Sequence, residues 1–481
     1  MNKKNILVIS SLIMYCFLFY KQTIGINILL FNLLLIISLL AADLSLLKNK
    51  KWLIVACCSV ITATGSLLYG SFLSAFTNVI SLLLLANLSL EKEASLFFSL
   101  IQSIASYIVT PVLRLFKSTE VFDRKTEEES NKKESIFSLG NILKITIPAI
   151  VLLFFFQIYK NSNPVFHAFI DRLHLDISWD FIQFSIFGLF LMYGFFKQSK
   201  INGLAQADQS FSNNIKGFSP SETSVFTSGK KEYDAAQITF ISLNLLLLVV
   251  NFLDIQFLFN SQIYSAYMYS QYVHQGINSS VFSVLIAILV TLYFFRGNIN
   301  FTAGNKRIRR LAAIWIILNI ALLFFCFEKN TAYIRECGLT HKRIGVYFYI
   351  FITFIGLLTT LFKIYKTKSN MYLVRINTWF LFLTLTVSCL FNWNRIILEY
   401  NVRNKPEISH YYYLYNLPET SLPFLLKNQY LLFDSASQTH YEKLLKRKEK
   451  KFMKRFHAKQ WQSWNFEEER IFRELKKIPK Q

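Results

Sequence analysis

Residues 260–310 read NSQIYSAYMYSQYVHQGINSSVFSVLIAILVTLYFFRGNINFTAGNKRIRR. An apolar run, Ser279–Phe295, separates a loop without Lys or Arg (Asn260–Ser280) from one holding Arg296, Lys306, Arg307, Arg309 and Arg310. Short loops kept in the cytoplasm are enriched in Lys and Arg. The run therefore reads as a membrane crossing, with its first loop outside and its second inside. Four neighbouring runs repeat the pattern: Ala235–Phe259, Leu311–Phe327, Ile344–Phe362 and the shorter Ile376–Leu390. Trimmed or tilted, they match the about 17–25 apolar residues that span a bilayer. Alternation then puts Glu328–Arg343 outside and Lys363–Arg375 inside. The former carries Lys329, Arg335, Lys342 and Arg343, a cationic load that runs against an outer position.

Bulk composition agrees. The chain of 481 residues is 53% hydrophobic and only 17% charged, which is too apolar for a soluble enzyme. The runs do not alternate residue by residue as barrel strands would, so helices are expected. The fold class is all-α: a polytopic integral membrane bundle of about twelve transmembrane helices, between eleven and thirteen, with a short helical basic C-terminal tail. The formal charge of +23 reflects positive-inside loops and that tail near anionic headgroups. No nucleic-acid module is visible, so the lipid bilayer is the expected partner, with other envelope proteins as the remaining class. Of the six cysteines only Cys337 lies outside an apolar span, and no CxxC pair occurs, so they read as small core residues.

Taken in order, Met1–Tyr20 reads as an uncleaved first helix, with Lys3 and Lys4 inside. Ile24–Ala42 returns, and Trp52–Tyr69 with Ser71–Leu88 form a hairpin about Gly70. Leu96–Phe116 either crosses, re-enters or lies at the interface, with Ser103, Ser106 and Thr110 on its wetter side. The expected divisions are 1–116 (N-terminal transmembrane helices), 117–141 (a charged polar linker), 142–398 (the core transmembrane domain) and 399–481 (the tail). Ile142–Ile158 crosses outward and Phe181–Phe196 returns, leaving the lysine-bearing loop Lys197–Asp234 inside. The tail then lies outside, as two or three short amphipathic helices against the membrane or the outer loops.

The polar residues admit sharp and plain readings. Asp254 shares a helical face with Asn244 and Asn251, which suits a polar pathway or a helix partner, or a wet outer end. Intramembrane asparagines also fasten helices together. Arg395 and Glu399 have the spacing of a surface ion pair. Gly338 suits a turn before a helix starting near Thr340, and Trp461 and Trp464, on a basic helix, suit interfacial anchors. The histidines form neither HxxxH nor HExxH, and no Walker A, GxSxG or GxGxxG motif is present. No metal site, catalytic residue or cofactor is therefore expected.

Five elements together resemble a bacterial membrane-protein family, the domain of unknown function of the 4153/4173 type. They are Pro148 with Asn163-Pro164-Val165-Phe166; Tyr269 to Gly276 (YSQYVHQG); Tyr333 to Arg343 (YIRECGLTHKR); Asn392 to Asn401 (NWNRIILEYN); and Trp461 to Asn465 (WQSWN). The resemblance covers roughly residues 142–481. His274 stands where the family often has Arg, and Asn394 where Asp is common, so no acid–base role carries over to either. The resemblance implies no activity. All these elements fall on the outer side of the expected topology. The candidate outer-face site is Asn163, Asn251, Asp254, Tyr272, His274, Arg335, Arg343, Asn394, Arg395, Glu399 and Asn401, with Asp254, Tyr272, Arg335 and Arg395 expected in one pocket. Pro148, Pro164, Gly276, Gly338, Trp461 and Trp464 are expected to be structural. The leading expectation is a non-enzymatic protein of the bacterial cytoplasmic membrane, active in sensing, assembly or support of an envelope process. The alternatives are a transporter or lipid-handling protein with a pathway near Asp254 and Asn251, and a membrane enzyme acting on lipid-linked sugars. The ligand is not readable.

Overall fold

A computed structural model of the chain describes residues 3–107, 162, 178–198, 202–215, 223–259, 266–301, 304–404, 416–428 and 435–478. Its elements are helical, and no strand occurs among the described residues. Seven helices there are long and apolar enough to cross a membrane, and three shorter apolar helices accompany them. Pro148, Asn163, Pro164, Thr110 and the charged linker lie outside the described residues. The chain divides into two compact units, Met1–Asp208 with His457–Glu469, and Gln209–Phe456 with Arg470–Gln481.

The first unit contains α1 (Lys3–Phe19), α2 (Ile26–Ala42), α3 (Lys50–Tyr69), α4 (Phe72–Leu90), α5 (Leu96–Tyr107) and α6 (Trp179–Phe196), and most of α7 (Asn202–Ser210). Asn49 caps α3 by accepting from the amides of Lys51 and Trp52, and Gly70 closes it at a left-handed φ of 59°. In a bilayer, apolar contact alone gives helices little reason to associate, so small and polar residues fill the interfaces. Asn78 Nδ2 donates to Ser59 O at 2.9 Å, joining α4 to α3, and Asn32 Nδ2 donates to Ser59 Oγ at 2.5 Å from α2. The same need explains α5. Ser103 and Ser106 are fully buried, and Ser103 Oγ donates to Leu83 O at 2.6 Å, so this face looks into the bundle and not toward water.

The Trp461–Asn465 element belongs to this unit. It is a 3-10 turn followed by an extended residue, not part of a basic helix. It lies against the α1–α2 loop: Ile26 N donates to Trp464 O at 2.9 Å and Thr23 N to Ser463 Oγ at 2.8 Å. Ser463 Oγ in turn donates to Gln22 Oε1 at 2.8 Å. Ser463 and Asn465 are buried while both indole rings stay exposed, and Trp461 lies 6.1 Å from the Phe17 ring.

The second unit is built on α8 (Thr223–Phe259), α9 (Ala266–Phe294), α10 (Asn305–Cys337), α11 (His341–Tyr365), α12 (Asn370–Ser388) and α13 (Trp393–Asn404). Helices α8 and α10 run parallel, with two asparagine rungs a heptad apart. Asn244 Nδ2 donates to Leu311 O at 3.0 Å and Asn251 Nδ2 to Leu318 O at 3.1 Å. Behind them Phe240, Phe295, Ile308, Ile316 and Leu323 form the apolar core. After α13 come α14 (Leu422–Lys427), α15 (Ser435–Ala458) and α16 (Phe466–Lys476). Leu425, Leu445, Phe452, Ile471 and Leu475 from these helices pack on Ile334, Leu339 and Ile344 about the α10–α11 turn and on Ile397 of α13.

Two further expectations change. Residues Glu328–Arg343 are mostly helix, since α10 continues to Cys337 well past the end of its apolar run. Polar residues continue the helix because neighbouring elements hold them, as Asn330 Nδ2 donating to Arg343 O at 3.2 Å illustrates. Among the cysteines, Cys57 is exposed on α3 instead of sitting in a core. Within a bilayer such a face meets lipid.

Candidate functional site

Asp254 and Lys329 meet near the ends of α8 and α10. Lys329 Nζ lies 2.5 Å from Asp254 Oδ1, and the two side chains are only 15% and 11% exposed for Asp254 and Lys329 respectively. Hydropathy ends the apolar run at Phe327, but the helix carries Lys329 one half-turn further and aims it at Asp254. Charges at this depth are costly unless paired. Asp254 Oδ2 is buried and has no hydrogen-bond partner among the described residues.

Below the pair runs a groove of about 550 Å³ lined by α8, α9 and α10. Leu247 and Val250 step along α8 toward Asp254, and Trp315, Asn319 and Leu322 step along α10 toward Lys329, at helical spacings of three and four. Ser279, Ser280 and Ser283 of α9 line the groove on the third side.

A second group of residues fastens the turn between α10 and α11. Gly338 ends α10 at φ 74°, and Thr340 caps α11 by accepting from Arg343 N. Arg343 Nη1 donates to Cys337 O at 2.6 Å and also to Gly338 O, while its guanidinium lies 4.0 Å from the centre of the Tyr333 ring. Asn401 of α13, 3% exposed, bonds Leu339 in both directions. Its Oδ1 accepts from Leu339 N at 2.6 Å and its Nδ2 donates to Leu339 O at 2.9 Å. Asn394 lies within hydrogen-bonding reach of His341. Arg335 is exposed on α10.

The third feature is a cleft of about 330 Å³ between α13 and the C-terminal helices, lined by Arg395, Glu399, Arg403, Thr420, Arg470 and Glu474 over Leu398, Val402 and Phe424. Arg395 Nε pairs with Glu399 at 2.6 Å, and Arg470 Nη1 with Glu474 at 2.6 Å. Among the described residues no carboxylate pairs with Arg403, which also lines the cleft. The adjoining Glu419 is held by Arg455 at 3.0 Å. Burial alone would raise the carboxyl pKa of Glu419, but a hydrogen bond from its own backbone, Arg455 and Lys448 together hold it below the usual carboxylate range.

Of the expected site residues, Arg395 and Glu399 share the cleft, and its lining includes neither Asp254 nor Arg335. Asn251 and Asp254 belong to the α8–α10 contact, and Arg343 and Asn401 to the turn. Tyr272 and His274 lie on α9, and their side chains are outside the described ones; Gly276 lies on the same helix. Lys329, Arg403 and Arg470 were not read as site residues from the sequence. The one available signal for Lys329 was its awkward charge in a loop expected outside. No group of three or more His, Cys, Asp or Glu able to hold a metal occurs among the described residues.

The family described as a domain of unknown function (DUF4153) matches residues 10–428. The match takes in α2 to α5, which carry none of the motifs behind the resemblance, and stops before Trp461–Asn465. No curated protein and no solved structure matches the chain.

Proposed function

We propose, from the premise that this chain belongs to the DUF4153 family and is an integral membrane protein, that it is non-enzymatic and supports an envelope process of the bacterial cytoplasmic membrane. In this reading the outer end of the second unit is a rigid platform that receives an anionic group of an envelope partner. The observation that carries the reading is the α13 cleft, where Arg403 has no carboxylate partner among the described residues and lies beside two Arg–Glu pairs. A guanidinium in that position offers a planar fork to a carboxylate or phosphate. Leu398, Val402 and Phe424 give the group an apolar bed. The reciprocal Asn401–Leu339 bonds and the Arg343 contacts stiffen the platform, since they leave those residues occupied with backbone and not with a ligand.

The test is a photo-crosslinking residue in place of Val402 in intact cells. A discrete adduct with an envelope component is expected, and Arg403→Glu should remove it while membrane levels of the protein stay unchanged. Solute uptake by proteoliposomes that disappears with Asp254→Asn, together with no adduct at position 402, would overturn the reading in favour of transport.

A further inference from the structure

Helix α15 carries eight Lys and Arg residues against two Glu between Ser435 and Ala458. Its apolar side is taken up by the protein. Leu445 and Phe452 are 0% and 1% exposed, in the cluster that includes Leu339 of the α10–α11 turn. A helix lying in a membrane surface gives that face to lipid instead. With about 3.6 residues per turn, Lys443, Arg447, Lys450 and Lys454 fall directly opposite Leu445 and Phe452. All four are exposed, and among the described residues no carboxylate pairs with any of them. Lys446, on the flank, pairs with Glu442 at 2.7 Å. The helix thus presents a row of cations about 16 Å long, one per turn, pointing away from the α10–α11 turn. None of the four lines the α13 cleft.

We propose that this row binds a linear phosphate polymer from the aqueous phase. Charge complementarity requires an anion, and a straight row with one cation per turn suits a chain of repeated charges better than a single group. Three of the four cations are lysines, point charges that serve phosphate without the planar fork of arginine. The bilayer surface is the poorer match, because the apolar face that would anchor the helix there is buried in protein. Nucleic acid is a poorer match too. Phe452 and Phe456 lie on the buried side, so the row has no aromatic platform on which bases could stack.

The experiment uses the full-length protein in phosphatidylcholine nanodiscs and reads the anisotropy of fluorescein-labelled inorganic polyphosphate. Binding should weaken roughly fiftyfold between about 50 and 200 mM salt, as neutralising about four phosphates of a flexible strand implies. The combined variant Lys443→Gln, Arg447→Gln, Lys450→Gln and Lys454→Gln should lose it. Lys306→Gln with Arg307→Gln and Arg310→Gln, at exposed positions of α10, should keep it. In the unmodified chain the polymer should protect Lys450 and Lys454 from acetylation, a readout that does not depend on a variant folding. Equal losses in the two variants, equally tight binding of poly-glutamate, or tighter binding of an oligothymidylate of equal charge would overturn the proposal. So would protection of Lys450 and Lys454 by phosphatidylglycerol discs without polymer, since the bilayer would then be what covers the row.

Discussion

Replacing Gly25 by alanine probes how the Trp461–Asn465 element is held. A Cβ at Gly25 would lie 2.5 Å from both Ser463 C and Trp464 O, against the 3.4 Å at which ordinary contact begins. Both obstacles are backbone atoms, so no side-chain rotation relieves the clash, and the segment must move by roughly 1 Å. The Gly25 backbone is extended at φ −172°, so alanine adds no dihedral strain and the effect is steric alone. A shift of that size takes the bonds from Ile26 N, Thr23 N and Ser463 Oγ, now 2.8–2.9 Å, beyond useful range. At about 0.5–1.5 kcal/mol each, their loss amounts to about 1.5–4.5 kcal/mol. Restricting the unfolded chain returns about 0.4–1 kcal/mol. A net loss of about 1–4 kcal/mol is expected, concentrated at the element. Hydrogen exchange in nanodiscs should show faster exchange at 460–466 in Gly25→Ala. The control is Gly276→Ala on α9, where a Cβ meets nothing within 4 Å and a better helix former should be neutral or stabilising by up to about 1 kcal/mol. Unchanged exchange at 460–466 in Gly25→Ala, or equal effects of the two substitutions, would refute the reasoning.

Further outcomes follow from other contacts. In reversible detergent unfolding, Lys329→Met and Asp254→Leu should each lose about 3 kcal/mol by stranding a charge, while the double variant recovers most of it; additive losses would exclude coupling. Asn401→Ala leaves the N–H and C=O of buried Leu339 without partners and should lower stability by about 2–4 kcal/mol, read as a depressed melting temperature. The Glu419 carboxyl has a lowered pKa in the fold, so its stabilising contribution is complete above the ordinary carboxylate range and is lost as pH falls through the lower folded value. Lys448 does not add to this acid dependence: burial lowers its ammonium pKa against the pull of Glu419, and that penalty is constant in acid and relieved only as pH rises toward the ordinary lysine range. Proteolysis at the C-terminal helices should therefore accelerate in acid, and Glu419→Gln should flatten the acid dependence. In a cysteine-free background, single cysteines in Asn260–Ser280 should label from outside intact cells, and those in Lys197–Asp234 should not; the reverse would invert the topology.

The sequence by itself determined the class of this molecule. Apolar runs long enough to cross a bilayer, broken by loops of contrasting Lys and Arg content, leave a helical membrane bundle as the solution that satisfies every backbone polar group in lipid. The motifs around Gly338, Asn401 and Trp461–Asn465 were also legible as a family resemblance, and the match over residues 10–428 establishes the family. What those motifs touch was not legible, because hydropathy and spacing are properties of one helix and the contacts belong to several. Lys329 appeared as a stray cation beyond a span; only the parallel register of α8 and α10, set by Asn244 and Asn251, brings it to Asp254. Ser103 and Ser106 gave a polar face whose direction a single sequence cannot specify, and packing against α4 turned it inward. Arg403 and Arg470 are separated by 67 positions, and no local signal joins them. The apolar faces of the C-terminal helices, docked on Ile334, Leu339, Ile344 and Ile397, bring them to one cleft.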